Sequence, residues 1–268
     1  MRVSEVVALT VAYDGAPFAG FARQDGPETV QGRLERALAT ILRTPVATVG
    51  AGRTDAGVHA LGQVVSFDAT GLEPQDAVLA RSLNALAGPE IAVGAVRRAL
   101  EGFSARHDAI AREYRYRIVT AGTPPVFLAR VAWHTARELD ADAMRAAAGV
   151  LVGEHDFRSF CVAESAEGKH TVRRIDAVEL AMADDLGEPH LVVRVVGNAF
   201  LHSMVRVIVG SLVEVGRGAR PSDWLAEALA ARDRAVAGPT APAHGLTLWK
   251  VEYPDEVWSS SPAAPAGD

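Results

Sequence analysis

Cysteine is almost absent: Cys161 is the only one in 268 residues, so no intrachain disulfide is possible and a reducing compartment is the natural home. Long apolar runs are missing too. The most apolar stretch, Met204 to Val213, is interrupted by Arg206 and is too short to span a bilayer, and no apolar core follows Arg2 and Glu5 at the N-terminus. A cytoplasmic protein without a membrane segment is expected. Lysine is scarce, with Lys169 and Lys250 the only two, so positive charge rests on arginine. Arginine suits bidentate phosphate contacts, although coding bias gives the same composition. The net charge of −6 lacks the cationic excess of a general nucleic-acid binder, so any RNA surface must be local. What is abundant is apolar side chain, 49 % of the chain, enough for a large core in one domain or two half-size ones.

One short polar stretch concentrates chemistry: Gly52-Arg53-Thr54-Asp55-Ala56-Gly57-Val58-His59-Ala60. It sits between runs that read as strands, Val46 to Ala51 and Gln63 to Phe67. Gly52 and Gly57 bracket it and permit positive φ, which predicts a tight loop presenting Asp55 at a strand end. Arg53 precedes Asp55 by two positions, so in extended chain both side chains leave on one side.

Along the chain, Val6 to Tyr13 reads as a strand ended by Asp14-Gly15-Ala16-Pro17. The following loop carries Phe18, Phe21 and Arg23, aromatics that either stack on bases or cover the core. Thr29 is placed to cap a helix with Val30, Leu34, Leu38, Ile41 and Leu42 on one face. A helix over 75–86 and a strand over 91–97 complete a first half. Ile110 to Thr120 alternates, with Tyr114, Tyr116 and Ile118 on one face and Glu113, Arg115 and Arg117 on the other. Asp140 caps a helix with Met144, Ala148 and Leu151, and Gly153 is placed to end it. A hairpin follows over 172–182 and 191–196 around Asp184-Asp185-Leu186-Gly187. The next helix, 202–216, is apolar except for a stripe of Ser203, Arg206, Gly210 and Glu214. A shielded guanidinium needs an anionic partner, and Glu214 lies about 12 Å along the axis from Arg206, out of reach. The partner must come from elsewhere in the chain. Ser222 to Ala231 and Leu246 to Tyr253 predict a last helix and strand.

The string around Asp55 resembles the motif of the tRNA pseudouridine synthases of the TruA family. Tyr13-Asp14-Gly15, Thr29-Val30-Gln31, Gly62-Gln63-Val64-Val65, Phe103-Ser104-Ala105-Arg106, Tyr114-Arg115-Tyr116 and Asn198-Ala199-Phe200 with His202, Met204-Val205-Arg206 and Gly210 are similar to further family blocks, in family order. Phe21-Ala22 departs from the Trp-Gln expected there, and Phe18 from Tyr. The resemblance implies an α/β (α+β) fold of two ferredoxin-like (RRM-like) halves sharing a mixed, mainly antiparallel sheet flanked by helices. The halves are expected at 1–105, with the Asp loop, and 106–254, followed by a disordered tail over 255–268. It implies isomerisation of uridine to pseudouridine in the anticodon stem-loop, a tRNA substrate, a homodimer, and no cofactor or metal. The implied catalytic set is Asp55 as nucleophile, Arg206 as its ion-pair partner and Tyr114. The implied substrate-binding set is Arg53, Tyr114, Arg106, His59 and His202. Arg112, Arg115, Arg117, Arg173 and Arg174, with Arg106, are candidates for an RNA track.

Two other functions fit parts of the sequence. His107-Asp108 and His155-Asp156, with His59, suggest the ligands of a metal-dependent phosphohydrolase, although such pairs belong in helical bundles and His107 is expected to enter a strand. RRM-like halves also serve as non-catalytic RNA binders, but a binder has no use for a shielded carboxylate and guanidinium.

Overall fold

The computed structural model describes residues 5–70, 75–120 and 122–259. The chain divides into two compact units, one running to Thr54 and including Ala60–Ile110 and the chain from Val251, the other made of Asp55–His59 and Ala111–Lys250.

In the first unit, strand β1 (Val6–Tyr13) is apolar on both faces and nearly all buried, as befits a strand flanked on both sides. It pairs antiparallel with β3 (His59–Asp68) and with β4 (Ile91–Ala99), so Leu9 lies opposite Val65 on one side and Val96 on the other. Helix α1 (Val30–Leu42) starts where Thr29 Oγ1 accepts a bond from the Gly32 N–H at 3.2 Å, and it buries Val30, Leu34 and Leu38 as its period requires. Helix α2 (Asp76–Ala87) packs on α1 and on β4.

Strand β2 is shorter than the sequence predicts: of residues 46–51 only Val49–Gly50 is strand, paired with β3, and the Ala51 N–H adds one bond to Val64 O at 2.8 Å. Side chains of α1 have taken the preceding backbone. Glu35 accepts from both the N–H and the hydroxyl of Thr48 at 3.0 Å, and Gln31 donates to its carbonyl at 2.8 Å. The loop aromatics are resolved in favour of the core, with Phe18 and Phe21 buried. A Cβ on Gly50 would come within 2.4 Å of the Phe21 ring, so glycine is required there by close packing. The 255–268 segment is not unstructured at its start. Residues 255–257 form a helical turn, and Trp258 bridges to Ala99 and packs on Phe103 and Tyr253, with the Arg97 guanidinium 3.7 Å from its ring centre. These contacts of the Trp258 indole with two rings and a guanidinium order the chain there, whereas 260–268 lies outside the described residues.

The second unit is built on the order β10-β5-β9-β8-β7. These are β5 (Ala111–Val119), β7 (Gly153–Asp156), β8 (Val172–Asp185), β9 (Glu188–Gly197) and the leading part of β10 (Leu246–Glu252), and the two-residue β6 (Trp133–His134) adds to β5 in parallel. The pairs β5–β9, β9–β8 and β8–β7 are antiparallel. The predicted hairpin is present, turning at Leu186 and Gly187, both at positive φ, with Asp184 accepting the Gly187 N–H at 2.9 Å. Helix α3 (Ala141–Ala148), capped by Asp140, packs on α5 (Met204–Gly216), and the one-turn α4 (Ala163–Ala166) and α6 (Trp224–Ala231) complete the unit. Helix α5 is buried along most of its length. Glycine at 210 lets the chain at 239 touch it, since a Cβ there would stand 1.8 Å from the Pro239 carbonyl oxygen.

The sequence puts Asp55 in the first half, yet by its contacts Asp55–His59 groups with the second unit, and the last strand leads back into the first. Side-chain bonds across long stretches of sequence, described next, decide this. Among the described residues no helix is long and apolar enough to cross a membrane.

Candidate active site

Residues 52–54 are pinned within the first unit. The Tyr13 hydroxyl and Thr54 Oγ1 are 2.8 Å apart, Thr54 O accepts from the Phe21 N–H at 3.0 Å, and Gln63 Nε2 donates to Gly52 O at 2.9 Å. Burial pushes the Tyr13 phenol up to about 12, so it stays a neutral structural hydroxyl at any physiological pH. The chain then turns through Asp55-Ala56-Gly57-Val58, closed by Val58 N–H donating to Asp55 O at 3.1 Å. Of the two bracketing glycines only Gly57 has positive φ, 78°, at the turn position that calls for glycine. Gly52 does not, so the expectation of two left-handed glycines holds for one.

The turn delivers the Asp55 carboxylate to the start of α5. Arg206 Nη1 donates to Asp55 Oδ2 at 2.7 Å, and Ser203 Oγ donates to the same oxygen at 2.7 Å. On the other oxygen, His202 Nε2 stands 3.4 Å from Oδ1 and is an ion pair only when the imidazole is protonated. The side chains of Asp55 and Arg206 are 19 % and 18 % exposed, whereas that of His202 is 53 % exposed. The carboxylate is therefore shielded on its arginine side and open on its histidine side. Arg206 is held in turn by residue 241: its Nε donates to Ala241 O at 2.8 Å, and its own carbonyl accepts the Ala241 N–H at 3.1 Å. The segment carrying Ala241 is tied by Tyr116 Oη donating to Pro242 O at 2.8 Å and by the Gly238 N–H donating to Ser211 Oγ at 2.9 Å. Gly245 lets the segment lie flat on Tyr116, since a Cβ would come within 2.5 Å of that ring. Neither Ser203's bond nor the 238–245 segment was legible as part of a site. The only sequence signal was the spacing of Gly and Pro in Gly238-Pro239-Thr240-Ala241-Pro242.

Of the two tyrosines on the inner face of β5, Tyr116 is fully buried, and burial drives its phenol far above the ordinary value against the opposing pull of Arg206. It is a strut. Tyr114 is also buried and meets the Phe200 ring edge-on, with centroids 5.2 Å apart.

The remaining expected residues are placed less uniformly. His59 is buried with Nε2 3.1 Å from the Arg130 carbonyl, so its ring is committed to the fold and is not presented to a substrate. Arg53 and Arg106 are exposed on the first unit. Most of the arginine track is already engaged. Arg112 is buried and donates to Asn198 O at 2.5 Å, Arg115 binds Glu113 at 2.7 Å and lies 3.9 Å from the Trp249 ring centre, and Arg117 reaches Asp185 at 3.6 Å. Burial works to raise the Glu113 pKa, but Arg194 and Arg115 outweigh it and hold the carboxyl below its usual value. Arg173 turns to the carbonyls of His170 and Val172, and Arg174 to Asp176. Arginine on a half-buried face is consumed by local acids and carbonyls, because leaving it unpaired there is costly.

The phosphohydrolase ligands are not assembled. His107 lies in a turn, not a strand, its N–H donating to Ser104 O, and His155-Asp156 forms part of β7. Among the described residues no group of three or more His, Cys, Asp or Glu side chains is arranged to hold a metal ion.

The family model described as tRNA pseudouridine synthase matches residues 9–99 and 147–254. A tRNA pseudouridine synthase A of Geobacillus sp. is 44 % identical over 252 residues, covering 94 % of this chain and 99 % of the relative. The Aeromonas hydrophila protein of the same name is 43 % identical over 251 residues, covering 94 % and 91 %. Among solved structures, an archaeal box H/ACA sRNP complex matches 80 % of this chain and 44 % of its own at 14 % identity and a TM-score of 0.38, too slight a likeness to carry an argument.

Proposed function

This chain belongs to the tRNA pseudouridine synthase family, and from that premise we propose that it isomerises uridine in the anticodon stem-loop of tRNA with Asp55 as nucleophile. The observation that carries the assignment is the Asp55 carboxylate, bonded on one oxygen by Arg206 and Ser203 and left open on the other. The reaction breaks the N-glycosidic bond, turns the uracil, and joins its C5 to the ribose, so one C–N bond is exchanged for one C–C bond, the freed N1 takes up a proton and the C5 proton is released. Nothing is oxidised or reduced. The carboxylate attacks either sugar or base, and in both cases the target nucleotide must leave the stack, at a cost of a few kcal/mol. Arg53 and Arg106, exposed on the first unit, are assigned to the RNA, His202 to the open side of the carboxylate, and Tyr114 to the uracil. His59 is withdrawn from the binding set by its bond to Arg130.

The direct test is tritium release from tRNA transcribed with C5-tritiated uridine. Release equal to the number of modified sites, with binding to unlabelled tRNA in parallel, is the expected result. Tight binding with no release identifies a non-catalytic RNA binder instead.

We place the protein in the cytoplasm, where its tRNA substrate is, with no membrane partner. We also assign a homodimer, since a chain of net charge −6 collects more positive surface for a polyanion by pairing than alone. Light scattering should give twice the 28.3 kDa chain mass at micromolar concentration, and specific activity should fall on dilution below the dissociation constant. A monomer whose activity stays proportional to enzyme into the nanomolar range contradicts it.

A further inference from the structure

The turn entering α5 is built against local preference. The Met204 N–H donates to Leu201 O at 3.1 Å, so His202 and Ser203 occupy the corners of a tight turn, and Ser203 has φ 58° and ψ 11°. That corner favours glycine or asparagine, because any other side chain there meets steric resistance. Serine before a helix is ordinarily a cap, extended in backbone and accepting from the first N–H groups. Ser203 is left-handed and makes no cap bond. Its hydroxyl goes to Asp55 Oδ2 at 2.7 Å, across 148 residues of sequence.

The two oxygens of Asp55 are thereby made unequal. Oδ2 accepts from Arg206 Nη1 and Ser203 Oγ, which occupies both of its lone-pair directions, whereas Oδ1 has only His202 Nε2 at 3.4 Å, beyond the ordinary range of an N–H···O bond. A carboxylate tied by Arg206 alone still swings about the single contact. With two donors at different angles its plane is fixed. We infer that Ser203 is a positioning residue, using its strained left-handed backbone to lock Asp55 Oδ2 and so present Oδ1 to the substrate. This rests on Asp55 being the nucleophile. Backbone strain stored beside a reacting group, with nothing local to gain from it, fits that role.

Two substitutions separate stability from rate, which a merely structural role does not allow. Ser203→Gly relieves the strain and deletes the hydroxyl. It should melt no lower than wild type, bind tRNA within about twofold, and lower the single-turnover rate about 10- to 100-fold, the range for losing a hydrogen bond to a charged group. Ser203→Thr keeps the hydroxyl but puts a β-branched residue at positive φ. It should melt lower while the folded fraction turns over within a few-fold of wild type. A wild-type rate in Ser203→Gly, or a Ser203→Thr as slow as Ser203→Gly, overturns the inference. Asp55→Asn run alongside separates the premises: if it retains turnover, the nucleophile assignment fails, and if it is inactive while Ser203→Gly is unaffected, only the role of Ser203 fails.

Discussion

Asp55→Asn should abolish pseudouridine formation, by on the order of 10⁴-fold or more in single-turnover rate, the scale on which removing a covalent nucleophile acts in enzymes. An amide has the volume of a carboxylate but far less nucleophilicity. Its oxygen still accepts from Arg206 and Ser203, which hold Oδ2 at 2.7 Å each, so the turn between Thr54 and Val58 keeps its closure and the protein should stay folded. Affinity for tRNA should change by no more than a few-fold, since a single neutralised carboxylate at a shielded position removes little repulsion from the phosphates. Tritium release, filter binding and a thermal melt measure the three quantities. Turnover within a hundredfold of wild type would falsify the assignment. Loss of activity together with a large drop in melting temperature points instead to a structural ion pair with Arg206.

Tyr114→Phe should lower the single-turnover rate by about 10²- to 10⁴-fold, the range for positioned acid–base groups, with tRNA affinity nearly unchanged. The C5 proton must leave after the uracil has rejoined the sugar, and with Asp55 proposed as the nucleophile another group has to accept it. Tyr116 is removed from consideration by its own contacts: it is fully buried, its hydroxyl is committed to Pro242 O, and burial drives its phenol to resist ionisation. Two residues away on the same face of β5, Tyr114 packs edge-on against Phe200, a ring contact that orients it. A phenol is a poor base at neutral pH unless a cation stabilises its anion, and the rate lost on deleting the hydroxyl measures whether that anion is used. Phenylalanine keeps the ring. A near-wild-type rate in Tyr114→Phe with a slow Tyr114→Ala assigns the residue to stacking alone, worth about 1 to 3 kcal/mol per base, and sends the search for the base elsewhere.

Several features follow from sequence because they are local. The cap at Thr29, the hairpin turn at Leu186-Gly187 and the alternation of residues 110–120 each depend on neighbours within a few residues, where hydrogen-bonding period and side-chain type determine the backbone. Composition likewise excluded an intrachain disulfide, and the motif around Asp55 carried the family resemblance in nine consecutive residues. Elimination sent the partner of Arg206 outside α5, since Glu214 is out of reach, and the resemblance alone selected Asp55 for it.

Tertiary structure alone decided the rest. Which oxygen of Asp55 is tied, and by Ser203 as well as Arg206, depends on contacts across 148 and 151 residues, and no periodicity encodes those. That Phe18 and Phe21 face the core, that His59 is consumed by Arg130, and that Glu35 and Gln31 strip β2 to two residues are outcomes of competition for the same buried space and the same hydrogen bonds. The same is true of the arginines: sequence counts their charges, but whether a guanidinium is free for phosphate is set by which acid or carbonyl the fold brings within about 3 Å of it.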